Sequence, residues 1–270
     1  MLKFLTKAII FLGVIVGAIT FVYLYDLYQE IKDDIDSVVN YNPKQSTQFF
    51  DKNGKLLANT FKDENREYVN YDDIPARVIE GLVAIEDTQF FEHFGVNPDA
   101  ISRAVIKNIQ SGGYSEGAST LTQQLIKVLL LSREKKIIRK VKEALLAIRL
   151  ETVLTKEEIL ERYLNHVYFG HGYYGVKTAA KGYFKKNLYE LTLKEIAILV
   201  GLPRAPSFYD PTKNLQVSLA RANQVITRMH TLGWINNEQF ESSMKETPVI
   251  FNQTLTKIEL HLQLIMQLVY

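Results

Sequence analysis

Between Lys7 and Asp26 the chain runs for 18 residues, Ala8 to Tyr25, without a single charge. At the helical rise that length crosses a bilayer core, where only a helix keeps its backbone polar groups paired within one segment. Lys3 and Lys7 precede the run, while Asp26, Glu30, Asp33, Asp34 and Asp36 follow it. The positive-inside bias then places the remaining residues, roughly 240, outside the cytoplasm. A cleaved signal peptide is the competing reading, but its small-residue site would be Val16-Gly17-Ala18, in the middle of the apolar run. Tyr23 and Tyr25 sit where an interfacial belt belongs, which favours an uncleaved anchor. Gly13 and Gly17 have GxxxG spacing, a weak signal of helix packing.

With 270 residues, 47% hydrophobic and 23% charged, the rest of the chain can bury the core of one large or two modest domains. That composition excludes a disordered protein. A net charge of +2, with no basic-aromatic stripe, argues against nucleic acid as a partner. The absence of cysteine excludes disulfides and thiolate metal sites without choosing a compartment.

Asp26 to Asn42 reads as a polar stalk with room to continue the first helix, ending before Pro43. Thr47 to Phe50 and Leu56 to Phe61 flank Asp51-Lys-Asn-Gly54, an Asn-Gly turn signal that predicts a small β-hairpin. From Ile74 onward the periodicity is helical, over Ala100 to Gln110, Thr120 to Leu131, Lys136 to Leu154, Lys156 to His166, Leu193 to Leu202 and Leu215 to Leu232. The expected partition is a cytoplasmic tip and anchor over 1–25, a stalk over 26–46, a mainly α body over 47–249 and an unassigned tail over 250–270.

The most informative residue of that body is Glu86. Val78, Ile79, Leu82, Val83 and Phe90 recur at three- and four-residue spacing, and Glu86 falls four after Leu82 and four before Phe90. A carboxylate on a buried stripe must find a partner, be protonated, or line a cleft where proton abstraction is its task. Pairing within the fold is the bland alternative.

Four further segments carry chemistry. Ser111-Gly-Gly-Tyr-Ser-Glu-Gly117 is a flexible run before Ser119-Thr-Leu-Thr-Gln-Gln124, where Thr120 and Gln123 have capping-box spacing. Backbone N–H groups at such a helix start suit a phosphate, although an ordinary cap explains the spacing equally well. Lys127, Arg133, Lys135, Lys136, Arg139, Lys140 and Lys142 then outnumber Glu134 and Glu143, giving either a pyrophosphate clamp or a solvated face with an Arg139–Glu143 ion pair. On the helix Lys156 to His166, Ile159, Leu160, Tyr163 and Leu164 share one side, leaving Glu157, Glu158, Glu161 and Asn165 on the other. Gly201 to Pro211 is a proline-punctuated loop suited to a pocket wall.

These segments, in this order, closely resemble the peptidoglycan glycosyltransferase family, glycosyltransferase family 51, which occurs alone or as the first module of class A penicillin-binding proteins. The matching patterns are Glu86-Asp87-x-x-Phe90-x-x-His93-x-Gly95, Gly117-x-Ser119-Thr120-x-Thr122-Gln123-Gln124, Arg139-Lys140-x-x-Glu143, Ile159-Leu160-Glu161-x-Tyr163-Leu164-Asn165 and the loop from Pro203 to Pro211. The likeness covers roughly residues 50–245. It implies a lysozyme-like, two-lobed α fold whose smaller lobe touches the bacterial inner membrane, with the body on the outer, periplasmic face, and a chain acting on lipid II and the nascent glycan strand.

By that resemblance Glu86 would be the base that deprotonates the acceptor 4-hydroxyl, and Asp87 would tune it. Glu161 would be the second carboxylate, beside the donor pyrophosphate. Lys127, Arg139 and Lys140 would stabilise the leaving pyrophosphate, Ser119, Thr120, Gln123 and Gln124 would line the donor site, and Glu143 and Asn165 complete the substrate-binding set. The resemblance leaves room for a divalent cation, magnesium or manganese, near Glu161, and calls for no organic cofactor. Other cell-wall synthesis proteins are the expected partners, and moenomycin-type phosphoglycolipids the expected inhibitors.

Class A relatives continue into a transpeptidase, whereas Ile250 to Tyr270 matches no expected linker, so a truncated class A protein is one expectation and a complete single-function enzyme the other. Ser242-x-x-Lys245 and Ser132-x-x-Lys135 imitate the acyl-enzyme motif without its partner motifs. A lysozyme-like hydrolase would share the paired acids, but it would need a general acid and has no use for the basic helix. An inactive membrane scaffold leaves Glu86 unexplained. His93, His166 and His171 lack the spacing of a zinc site.

Overall fold

The computed structural model describes residues 2–40, 46–54, 56–60, 64–113, 117–130 and 136–251. Ser132, Arg133 and Lys135 of the basic run, Phe61 at the predicted hairpin end, and the tail from residue 252 lie outside the described residues. The chain divides into two compact units, one of Met1–Tyr41 with Phe94–Leu154, the other of Asn42–His93 with Thr155–Tyr270.

In the first unit, α1 (Leu2–Ile31) is one continuous helix of 30 residues that contains the charge-free run. Its span Phe4–Ile31 is long and apolar enough to cross a membrane, and side chains such as Phe11, Ile15, Ile19 and Phe21 are exposed. Over its described residues 26–40, the segment read as a polar stalk is largely helical. It comprises the end of α1 and α2 (Asp34–Val39), and it buries Leu27, Ile31, Ile35 and Val38. The polar count hid these four because they recur at three- and four-residue spacing, a narrow stripe that packs against α6 (Lys136–Leu150). The remaining helices of this unit are α4 (Pro98–Gln110) and α5 (Leu121–Leu129), and α5 packs on α6. Gly95, before α4, lets its segment approach the backbone of α6 closely. At φ +78° it adopts a conformation that side chains rarely take, and an added Cβ would lie 2.5 Å from the Ala147 backbone.

The second unit opens with the hairpin of β1 (Thr47–Phe50) and β2 (Leu56–Thr60), antiparallel with Thr47 opposite Thr60. Its turn has Gly54 at φ +79° and Asn53 donating to Asp51 Oδ1 at 2.8 Å. The body is α3 (Ala76–Glu86), α7 (Lys156–His166), α8 (Val176–Phe184), α9 (Leu193–Gly201), α10 (Leu215–Thr231) and α11 (Asn237–Lys245). A two-residue parallel pair, β3 (Asn65–Arg66) with β4 (Tyr173–Tyr174), ties its early segment to the later helices. The core lies where α3, α9 and α10 pack on one another. A Cβ on Gly81 of α3 would already sit 3.3 Å from Val200.

The fold is mainly α, with a small hairpin and an apolar N-terminal helix. One expectation needs correction. The apolar stripe does not run through Glu86 to Phe90, because α3 ends at Glu86 and Asp87 turns away at φ −158°, ψ 75°. Phe90 is fully buried, but the turn after the helix delivers it.

Candidate active site

Each unit carries its own set of the candidate site side chains. In the second, Glu86 is held at the last position of α3 by the burial of Val78, Leu82 and Val83 behind it. Its side chain is 11% exposed, and Oε1 accepts a hydrogen bond from Arg221 Nη2 of α10 at 3.1 Å. The carboxylate on the stripe therefore has a charged partner. Glu86 also acts on Tyr163 of α7, whose fully buried hydroxyl is raised well above its ordinary range by burial first and by the Glu86 charge second.

Asp87 is buried beside the same helix end, and both its oxygens meet His93 Nε2, at 3.0 and 3.2 Å. Phe90 packs edge-on against the His93 ring, and Lys156 Nζ lies 4.4 Å from the Phe90 centroid while donating to the His93 carbonyl at 2.7 Å. The four residues form a buttress under the turn that carries Glu86, and this is the environment the structure shows for Asp87.

Glu161 and Asn165 stand one turn apart on α7 and grip the segment Tyr68 to Tyr71, which follows β3. Glu161 accepts from the Tyr68 hydroxyl through Oε1 and from the Tyr71 amide through Oε2, the latter at 2.6 Å. Asn165 is not on a polar face, since it is 1% exposed and engages both backbone groups of Val69. Helical periodicity missed this because a side chain that pairs with passing backbone counts as polar although it is buried. Both carboxylate oxygens of Glu161 thus already accept a hydrogen bond, and among the described residues no group of three His, Asp or Glu side chains converges around it.

In the first unit Thr120 caps α5 with a full capping box. Its Oγ1 accepts from the Gln123 amide at 3.1 Å and donates to the Gly95 carbonyl at 2.6 Å, while Gln123 Oε1 accepts from the Thr120 amide at 3.1 Å. Both side chains are almost wholly buried, so the ordinary cap is the arrangement found here. Ser119 and Gln124 are half-buried and Lys127 is exposed. On α6, Glu143 is 3% exposed and carries two cations, with Arg139 Nε at 3.2 Å and Lys140 Nζ at 2.8 Å. Lys140 also donates to Ser119 Oγ at 2.6 Å. Arg139 and Lys140 remain 25% and 47% exposed, so Glu143 fixes their stems and leaves a net positive, solvent-reachable pair. Lys142 is turned elsewhere, to Glu30 at 3.3 Å.

A helix-end acid paired with a buried arginine, and a cation pair anchored on a buried carboxylate, are side-chain types that group transfer from a phosphate leaving group uses. The comparison with known families agrees, since residues 53–230 match the transglycosylase family. The chain belongs to the transglycosylase family. Its folded body is a peptidoglycan glycosyltransferase module, as the five ordered motifs imply. This transglycosylase chain is 41% identical to penicillin-binding protein 1A of Aquifex aeolicus over 237 residues, which is 87% of this chain and 32% of that one. Against penicillin-binding protein 1A of Escherichia coli it is 41% identical over 226 residues, 83% of this chain and 26% of the relative. The crystal structure of penicillin-binding protein 1A from Haemophilus influenzae aligns with 84% of this chain and 24% of that one, at 26% identity and TM-score 0.48. The transglycosylase chain thus spans about a third or less of the length of the curated relatives it matches.

Arg221, the partner of Glu86, is not among the candidate residues that the sequence singles out. A signal was present, because Arg221 lies on the buried stripe of α10 with Ser218, Ala222, Val225 and Met229, the same anomaly that marked Glu86. Tyr68 and Tyr71 were also missed, and nothing in their local spacing links them to Glu161, 93 and 90 residues away.

Proposed function

We propose that this chain polymerises lipid II into β-1,4 glycan strands with inversion, releasing polyprenyl pyrophosphate, for bacterial cell-wall synthesis. The observation that carries the reading is the placement of Glu86 at the end of a buried helix, engaged by a cation that favours its ionised, proton-accepting form. Glu86 takes the proton of the acceptor 4-hydroxyl. The acceptor oxygen forms the new bond to the donor anomeric carbon from the side opposite the α-linked pyrophosphate, and the carbon–oxygen bond to that pyrophosphate breaks. The leaving group needs no proton, so its counterpart is cationic. Arg139 and Lys140, anchored by Glu143 and open to solvent, are suited to that charge.

The apolar helix α1 fits a single-pass anchor in the cytoplasmic membrane, and the lysines before it and acids after it support the reading that the body lies on the outer face. Lipid II and the growing strand are then within reach of the same bilayer surface. Incubating the purified chain with labelled lipid II tests the reading. The expected product is a ladder of glycan polymer that a moenomycin-type phosphoglycolipid suppresses; released monosaccharide or disaccharide units without polymer would instead indicate a hydrolase.

A further inference from the structure

We propose that Arg221 is the positioning residue of Glu86, holding one oxygen of the base in place and favouring its ionised form at the pH of the reaction. The proposal rests on the reading of Glu86 as the base and deepens it. The two side chains are 5% and 11% exposed and meet at 3.1 Å. An opposite charge at that separation, screened from water, favours the carboxylate over the carboxylic acid.

The surroundings fix the guanidinium more firmly than charge pairing alone would need. Tyr209, from the proline-punctuated loop, lies with its ring centroid 5.7 Å from the Arg221 guanidinium carbon. Gln224, one turn further along α10, accepts from Nη1 at 3.1 Å. Gly201 at the end of α9 makes room for the stem, since a Cβ there would meet Arg221 Cγ at 2.9 Å. Three separate pieces of chain therefore determine where Nη2 is aimed. A buried ion pair is weak evidence of stabilisation, because desolvation offsets most of its attraction. Fixing a base in one orientation is a task that such a pair can perform.

The other charged or titratable groups nearby do not replace Arg221. Burial lowers the Arg221 pKa and the Glu86 charge raises it back, while Arg204 adds a second positive field that also lowers it. A guanidinium stays charged throughout the working range. Tyr163 remains a neutral phenol, Asp87 is engaged by His93, and Glu80 of α3 pairs with Arg77. On α9, Lys194 donates to Asn223 and Glu195 pairs with Lys186. When Glu86 takes the acceptor proton its attraction to Arg221 weakens, so the proton is disfavoured there and passes to solvent, restoring the base.

The test is the pH profile of kcat/KM with labelled lipid II for the full chain and four variants. Its acid limb reports the essential base of the free enzyme. Arg221→Met should move that limb to higher pH by about one unit or more and lower turnover at neutral pH by about tenfold. Arg221→Lys should leave the limb within about half a unit of the parent and recover part of the rate. Gly201→Ala keeps every charge but displaces the Arg221 stem, and it should lower kcat with KM little changed; this variant decides the matter if Arg221→Met does not fold. An acid limb unmoved in folded Arg221→Met, or an unchanged kcat in Gly201→Ala, would overturn the proposal. Glu86→Gln separates the two levels: if it retains parental turnover, the base assignment itself has failed, whereas an inactive Glu86→Gln beside an unshifted Arg221→Met profile removes only the role of Arg221.

Discussion

Asn165 and Val69 are joined by two complementary hydrogen bonds, Nδ2 to the Val69 carbonyl at 2.7 Å and the Val69 amide to Oδ1 at 2.8 Å. The side chain thus imitates a neighbouring strand, and a third bond from Nδ2 to the Glu161 carbonyl at 2.8 Å locks it on α7. Replacing it with Ala leaves buried backbone groups of Val69 without these partners. Asn165→Ala should lower unfolding free energy by about 2–3 kcal/mol in denaturant titration, with KM for lipid II little changed per folded molecule. A raised KM with unaltered stability would instead make Asn165 a substrate contact.

Glu161 acts on the same segment from one turn earlier. Its hydrogen bond and burial push the Tyr68 hydroxyl up to about 12, with burial the larger cause, so Tyr68 remains a donor at any working pH. If Glu161 contributes by holding residues 68–71, Tyr68→Phe should reproduce part of the rate loss of Glu161→Gln, and both losses should be smaller than that of Glu86→Gln. A silent Tyr68→Phe beside an impaired Glu161→Gln would place Glu161 in direct contact with substrate.

The cation pair on α6 allows a simple test. Arg139→Ala or Lys140→Ala should each lower polymerisation by about tenfold, and added salt should reproduce the effect only in part, because groups anchored on a buried carboxylate are screened less than a free surface charge. Unchanged rates in both variants would return this helix to a solvated face.

A pH dependence of stability follows from His166. Its ring nitrogen Nδ1 lies 3.1 Å from Arg66 Nη1, and burial, with the Arg66 charge second, lowers its pKa from 6.5 to about 4. Protons therefore bind the unfolded chain more readily than the folded one between those values. The contribution is complete above pH 6.5, shrinks as pH falls toward 4 and changes little below, a span of about 3 kcal/mol at most. The melting temperature should fall across that window, and His166→Gln, which keeps an acceptor for Arg66 without a titrating ring, should remove part of the fall. An identical profile in the variant would show that carboxylates alone carry it.

What the sequence made legible was local. The charge-free run, the Asn53-Gly54 turn, and the Thr120 to Gln123 cap each depend on a few neighbours, and each is found in the structure. The helices α8 and α11 were not read. Seven of the nine residues of α8 are buried, so it has no polar face to set a period, and α11 has one buried residue and so no apolar stripe. Phe90 was placed on a helix that Asp87 ends, since periodicity does not register a single extended residue. Glu86 stood out from its own segment, yet its partner lies 135 residues away and is brought to it only by the packing of α3 on α10.

The central claim is that Glu86 is the base, and turnover of labelled lipid II by Glu86→Gln measures it most directly. Gln keeps the size of the side chain and can still accept from Arg221, so helix content and melting temperature should stay near the parent. Polymerisation should fall by at least ~10² because the proton acceptor alone is removed. Near-parental polymer formation by the folded variant would contradict the account.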